Sequence, residues 1–243
     1  MLIISLTQEN KTKEVTIPTD WEDITLEYWC GIYKIVMSHK KKVDLRNKAI
    51  KEEKGIEEGE NKEKIDFTTN MSLEGMEKMD ILKMNKDLFQ YVADMTDEEM
   101  EYVNLEEAYE VLAALNILTE DYKPTGARSF MFEDEEYFFP SEYLKDNTFG
   151  DYIEATQLDL YIDSMTSGRF DVLPEQMAIL CRKIDEVYDD SKIPEKAEAF
   201  RKLKMDTVWE FSFFLTHRCE KLASLLQTYL EEKEGAEELL EVK

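Results

Sequence analysis

With 243 residues, 43% of them apolar and 11% aromatic, the chain has material for one large domain or two small ones, with a core that needs neither disulfides nor metals. Only 8 Gly and 5 Pro leave too few turns for an all-β fold, so the expected class is mainly α. A formal net charge of −25 argues against direct binding of nucleic acid or an anionic membrane, and favours basic protein partners or plain solubility.

Leu2 to Leu6 and Val15 to Ile17 are β-forming runs around the polar Thr7 to Glu14, which predicts a small hairpin ending at Pro18. The apolar start has no basic flank, no apolar run of adequate length and no cleavage site, so no signal peptide is expected. No run approaches the roughly 18–20 apolar residues of a bilayer span, and a soluble protein follows. Thr25 then caps a helix with the stripe Leu26, Trp29, Ile32, Tyr33, Val36 and Met37, completing a first unit over residues 1–37.

From Ser38 to Asp66, nine Lys/Arg and eight Asp/Glu outnumber six apolar residues, and Gly55 and Gly59 interrupt the run. Residues 38–70 are therefore expected to be a charged, flexible insertion, with Lys40 to Lys42 a solvated helix end. A helical segment over 71–123 follows, its first stripe being Met76, Met79, Ile81, Leu82, Leu88, Phe89 and Val92, where the dense methionine reads as core filling. Thr96 with Glu99 has capping-box spacing, and Asn104 with Glu107 repeats it, predicting two short helices, the second carrying Leu105, Ala108, Leu112 and Leu115.

Residues 124–243 read as a hairpin plus a helical C-terminal part. Ser129 to Phe132 and Glu136 to Phe139 are aromatic strands around an acidic tip, Glu133 to Glu135, and Pro140 ends them. Thr148 caps a helix through Phe149, Tyr152 and Ile153 toward Tyr161, with Asp151 at the boxing position. Pro174 reads as the N1 proline of a helix with Met177, Leu180, Cys181 and Ile184 on one face. After Pro194 the chain reads as helix almost throughout, from Ala197, Phe200 and Leu203 through Val208, Phe211, Leu215, Leu222, Leu226 and Tyr229 to a frayed tail from Glu231. Between Trp209 and Leu215 only Glu210 and Ser212 are polar, so this stretch is expected to be the most buried helix or to offer a second apolar face. No internal repeat points to a solenoid.

Reacting groups are scarce. His39 lies in the charged insertion, and His217 sits two residues from Cys219, which turns the side chains about 200° apart on a helix. Cys30, Cys181 and Cys219 are odd in number and far apart, which suggests neither disulfides nor zinc but a reducing compartment. The acidic clusters Asp185, Glu186, Asp189, Asp190 and Glu133 to Glu136 lack EF-hand spacing and read as solvated acid, and no phosphate-loop, dinucleotide, zincin or hydrolase motif occurs. A non-enzymatic protein with no cofactor, no bound metal and no catalytic residue is expected.

Val15 to Leu26 resembles the N-terminal strand-to-helix entry of a group of small tailed-bacteriophage proteins encoded among head and tail genes. Phe130 to Phe139, Asn147 to Ile153 and Gln176 to Arg182 are similar to that group's aromatic hairpin, its Thr-Phe-Gly-x-Tyr-Ile helix start and its following helix. These stretches cover under a third of the chain, and residues 38–66 and the long helical C-terminus depart from the pattern. The resemblance implies a non-enzymatic phage protein: a virion structural component, or a tail-assembly chaperone that shields a larger tail protein. Its partners would be other phage structural proteins, with a homo-oligomer left open, and its place the host cytoplasm during assembly or the virion. The expected contact surfaces are the aromatic hairpin, Phe130, Phe132, Tyr137 and Phe139, and the apolar helix with Trp209, Phe213 and Phe214. Two readings of other classes compete: an acidic mimic of nucleic acid occupying a basic site, and a metal-dependent enzyme.

Overall fold

The computed structural model describes residues 1–8, 11–53, 76–115, 121–140, 149–164 and 168–216. Alternation of side chains builds the first hairpin, in which β1 (Leu2–Gln8) pairs antiparallel with β2 (Lys11–Ile17) from Leu2↔Ile17 to Gln8↔Lys11. Ile4, Leu6, Val15 and Ile17 face the core. The strands run further than expected, because most of the polar stretch 7–14 continues the ladder. Lys13, opposite Leu6, reaches the Asp94 carbonyl with its ammonium group.

A short 3-10 turn (Trp21–Asp23) leads into α1 (Leu26–Glu53), where Thr25 Oγ1 accepts from the Tyr28 N–H at 3.2 Å as the expected N-cap. The helix does not end at Met37. Ile32, Val36, His39 and Val43 are all buried at spacings of four, three and four, so 38–53 is a continuation of the helix. Its partner is α2 (Lys78–Ala93), which runs antiparallel to it. His39 Nε2 lies 2.7 Å from an Asp87 carboxylate oxygen, and Arg46 donates to Asp80 at 2.8 and 3.2 Å. The two polar pairs sit seven residues apart on both helices and set their register. Residues 54–70 of the predicted insertion, and Met71, lie outside the described residues. On α2, Met84, Leu88, Phe89 and Val92 are buried, whereas Met79 and Leu82 point outward.

The predicted capping box closes in α3 (Asp97–Met100), with Thr96 Oγ1 accepting from Glu99 N and Glu99 from Thr96 N. Before α4 (Leu105–Ala114), Asn104 accepts from Glu106 N, but Glu107 turns away and accepts from the Thr7 N–H of β1 at 2.9 Å. That bond holds α4 against the hairpin. Its core face is Val111 and Leu115 rather than Leu105.

In the second hairpin, β3 (Ser129–Phe132) pairs with β4 (Glu135–Phe138), Phe130 facing Tyr137. Glu133 and Asp134 both have positive φ, 49° and 64°, which makes a two-residue turn whose twist suits the strands. Glu135 is therefore paired with Phe132 and belongs to the strand, not to the tip. A further antiparallel bridge joins Phe138 to Arg182, with Phe138 N donating to Arg182 O at 2.8 Å.

α5 (Phe149–Gln157) continues as a 3-10 helix (Leu158–Ser164). Its predicted cap Thr148 lies outside the described residues. α6 (Arg169–Leu180) begins five residues before Pro174, after Gly168 at φ 55°. Pro174 sits inside it because Phe170, Val172 and Leu173 also belong to the core. The proline deprives the Phe170 carbonyl of its helical donor, and the Cys30 thiol approaches that oxygen at 3.9 Å. Nine of the twelve residues of α6 are buried, so α6 is the central helix, a place the sequence assigned to the Trp209 stretch. It ends at Leu180, leaving Ile184 exposed.

Among the described residues from Ile193 to residue 216 there are two helices rather than one, α7 (Ile193–Phe200) and α8, described over 205–216. The break has a cause. Leu203 and Arg201 carbonyls accept from Leu26 N and Glu27 N, 2.8 and 2.9 Å away, satisfying orphan donors at the start of α1, and Met205 N donates to Ile24 O. Trp21, Trp29, Phe170 and Trp209 meet edge to face beneath this junction, with ring centroids 5.2 to 6.2 Å apart. One cluster of buried side chains runs from Ile4 to Leu215, so the first and last predicted units share a core. The fold is mainly α with two antiparallel hairpins.

Candidate interaction surfaces

The aromatic hairpin turns its rings inward. Phe200 of α7, fully buried, has Phe130, Phe132 and Tyr137 around it edge to face, at centroid distances of 5.9, 5.5 and 5.2 Å. Phe139 lies buried at 6.4 Å from Phe211. Trp209 belongs to the tryptophan cluster, and Phe214 is half-buried beside Phe211. Of the seven residues expected at contacts, only Phe213 is exposed, tilted against Tyr122 at 6.4 Å. The reading of the hairpin as a contact surface is corrected accordingly: its inner face is core, and Met131 is its outward apolar residue.

Beside the hairpin the buried charges are matched. Arg182 donates to Asp151 at 2.6 Å with both side chains mostly buried, and its guanidinium lies 5.0 Å over the Tyr188 ring. Asp151 thus serves a partner 31 positions away. Tyr188 Oη donates to Glu154 at 2.7 Å, and its hydroxyl is pushed up by burial and then by that carboxylate. Lys196 donates to Cys181 O and to Glu186, both at 2.8 Å, and sits 5.2 Å over the Tyr137 ring. A cavity of about 40 Å³ between Arg182, Glu186, Tyr188 and Lys196 has room for about one water. Burial also pushes the Cys181 thiol up, away from reactive thiolate.

Several of the clustered acids are likewise engaged within the chain. Asp185, Glu186 and Asp189 lie in the loop after α6 and Asp190 opens a short 3-10 turn, with Asp189 accepting from Ser191 N and Ser191 Oγ and Glu186 from Lys183 N. Glu136 accepts from Ser129 Oγ. Among the described residues no group of three or more His, Cys, Asp or Glu is arranged to hold a metal, and no helix is long and apolar enough to cross a membrane. His217 and Cys219 lie outside the described residues.

Glu210, on the helix expected to be apolar, is a buried anchor. Its carboxylate accepts from Tyr122 Oη at 2.9 Å, from Thr125 N, and from Gly126 N at 3.2 Å, strapping residues 122–126 to α8. Burial alone would raise this carboxyl, but the bonds from Thr125, Tyr122 and Gly126 outweigh it and hold it below its ordinary 4.5. A depressed folded value means that the stabilisation is complete above the unfolded value and disappears as pH falls through the folded one. Glu210→Gln should therefore cost about 1–3 kcal/mol at pH 7, with the gap from wild type narrowing as the pH is taken well below the ordinary 4.5. Urea unfolding at pH 7 and at such a low pH checks this, and an equal gap at both would remove the carboxylate from the role.

Two outward faces are apolar. On α5 and its 3-10 extension, Ile153, Leu160 and Tyr161 are exposed, while Tyr152 and Ala155 are buried. The adjoining loop, tied to α5 through Tyr188–Glu154 and Arg182–Asp151, exposes Ile184 and Val187. On α4 and the turn before it, Tyr102, Leu105 and Tyr109 are exposed in the same way. Sequence reasoning missed these residues; the available signal was a helix with apolar side chains on two sides. Compared with protein families, curated proteins and solved structures, the chain matches none.

Proposed function

We propose that this protein is a non-enzymatic component of bacteriophage particle assembly that acts by holding other phage structural proteins. The observation that carries this reading is the exposure of large apolar side chains on an acidic surface: Val187 is 84% exposed, Leu160 81% and Ile184 72%. Apolar side chains exposed to this degree are suited to burial against a partner. The resemblance of Val15 to Leu26, the aromatic hairpin, the start of α5 and the end of α6 to phage head-and-tail proteins supports the phage assignment.

Protein composition of purified particles and of assembly intermediates from infected cells tests it. A fixed copy number in the mature particle makes the protein a structural subunit. Presence on intermediates but not on mature particles makes it a tail-assembly chaperone. Absence from both, with salt-sensitive capture of a DNA-handling enzyme instead, overturns the assembly role in favour of an acidic mimic.

A further inference from the structure

We infer that the outward face of α4, with the turn before it, docks a cationic amphipathic helix from a partner protein; this rests on the protein-contact reading above and names the chemistry of one partner. Tyr102, Leu105 and Tyr109 are 53%, 70% and 61% exposed, and Leu112 continues the row half-buried. Leu105, Tyr109 and Leu112, at spacings of four and three, line one side of α4, and Tyr102 lies in the turn before it. Val111 and Leu115, further round α4 and at its end, are in the core, and the Glu107 bond to Thr7 N fixes α4 to β1, so the row sits on a held platform.

The charge around this row selects the partner. From Asp87 to Tyr122 the sequence contains eleven Asp/Glu and no Lys, Arg or His. Within this stretch Asp87 pairs with His39 and Asp97 with Lys86, both supplied from outside it, as Asp80 pairs with Arg46 and Asp151 with Arg182. Glu98, Glu101, Glu106 and Glu110 have no ion pair among the described residues. Glu106 and Glu110 stand four apart and one position round the helix from Leu105 and Tyr109, where like charges repel. An incoming helix with leucine-like residues at spacings of three and four, flanked by Lys or Arg, would bury the row and neutralise the carboxylates at once. Nucleic acid and anionic lipid would be repelled, and so would this same face on a second copy.

The probe is a labelled synthetic helix of roughly 18 residues built from Leu and Lys in that pattern, compared by fluorescence anisotropy with a Ser/Lys peptide of equal charge, on the purified full chain. The Leu/Lys peptide should bind at least about tenfold tighter than the Ser/Lys peptide, and L105S/Y109S should weaken it by about tenfold or more. E106K/E110K should weaken it similarly and flatten its salt dependence, while L160S/V187S, on the other apolar face, should leave it unchanged. All these positions are exposed, and circular dichroism of each variant verifies the fold. Equal binding of the two peptides, or equal loss in L160S/V187S, overturns the inference. Concentration-dependent self-association abolished by L105S/Y109S also overturns it, assigning the face to a second copy. Because the probe reads this face alone, its failure leaves the particle-composition result standing, and the reverse holds too.

Discussion

Trp29→Ala should destabilise the protein by about 3–5 kcal/mol, among the largest losses available to a single side chain. Trp29 is fully buried and touches the rings of Trp21 before α1, Phe170 on α6 and Trp209 on α8, at 5.2, 5.7 and 6.2 Å. Truncation opens a cavity where three chain segments distant in sequence converge, and a close-packed interior relaxes into such a space only in part. Its indole Nε1 is buried with no hydrogen-bond acceptor among the described residues. Trp29→Phe removes that unpartnered donor while keeping most of the ring, so it should cost only about 1 kcal/mol. Denaturant unfolding of both variants measures the contrast; equal losses would mean that the ring packing is not what joins these segments.

Breaking the Arg182–Asp151 pair should be comparably severe. The two side chains are 14% and 7% exposed, so Asp151→Ala leaves a mostly buried guanidinium without this carboxylate, and Arg182→Met leaves a mostly buried carboxylate without this guanidinium. Each single change should cost about 3–5 kcal/mol. Asp151→Leu combined with Arg182→Met leaves no buried charge and should recover most of that loss, because the Phe138–Arg182 bridge is made by backbone atoms and survives the substitution. A double-mutant cycle measured by urea unfolding reads the coupling directly. Additive losses in the double variant would show that the charges are solvated rather than dependent on each other.

Local signals in the sequence were reliable where one segment decides its own structure. The period-2 runs around Ile4 and Val15, the Thr25 cap and the Thr96–Glu99 box all form, because each depends on residues within a few positions. Composition misled where the deciding partner is remote. The excess of charge from Ser38 to Asp66 made 38–53 look unable to bury a face, yet His39 and Arg46 occupy the seam of a helix pair whose matching acids, Asp87 and Asp80, lie 34 to 48 positions away. Pro174 suggested a helix start because the sequence does not display that Phe170 and Leu173 are needed in the core. The aromatic hairpin looked like a contact surface because the same β-strand pattern serves a partner or Phe200 equally well. Asp151 and Glu210 were invisible as anchors, since their partners stand 31 and 84 to 88 positions off. The outward faces on α4 and α5 were hidden for the opposite reason: a helix that is apolar on both sides reads as simply more buried.

The central claim is that this protein works through apolar surface rather than through reacting groups, and Leu160→Asp combined with Val187→Asp tests it most directly. Both side chains are more than four-fifths exposed, so stability should change by no more than about 0.5 kcal/mol. Co-purification from infected cells, quantified against wild type, should then show loss of bound phage structural proteins by the folded variant. Recovery of the same proteins in undiminished amount would contradict it.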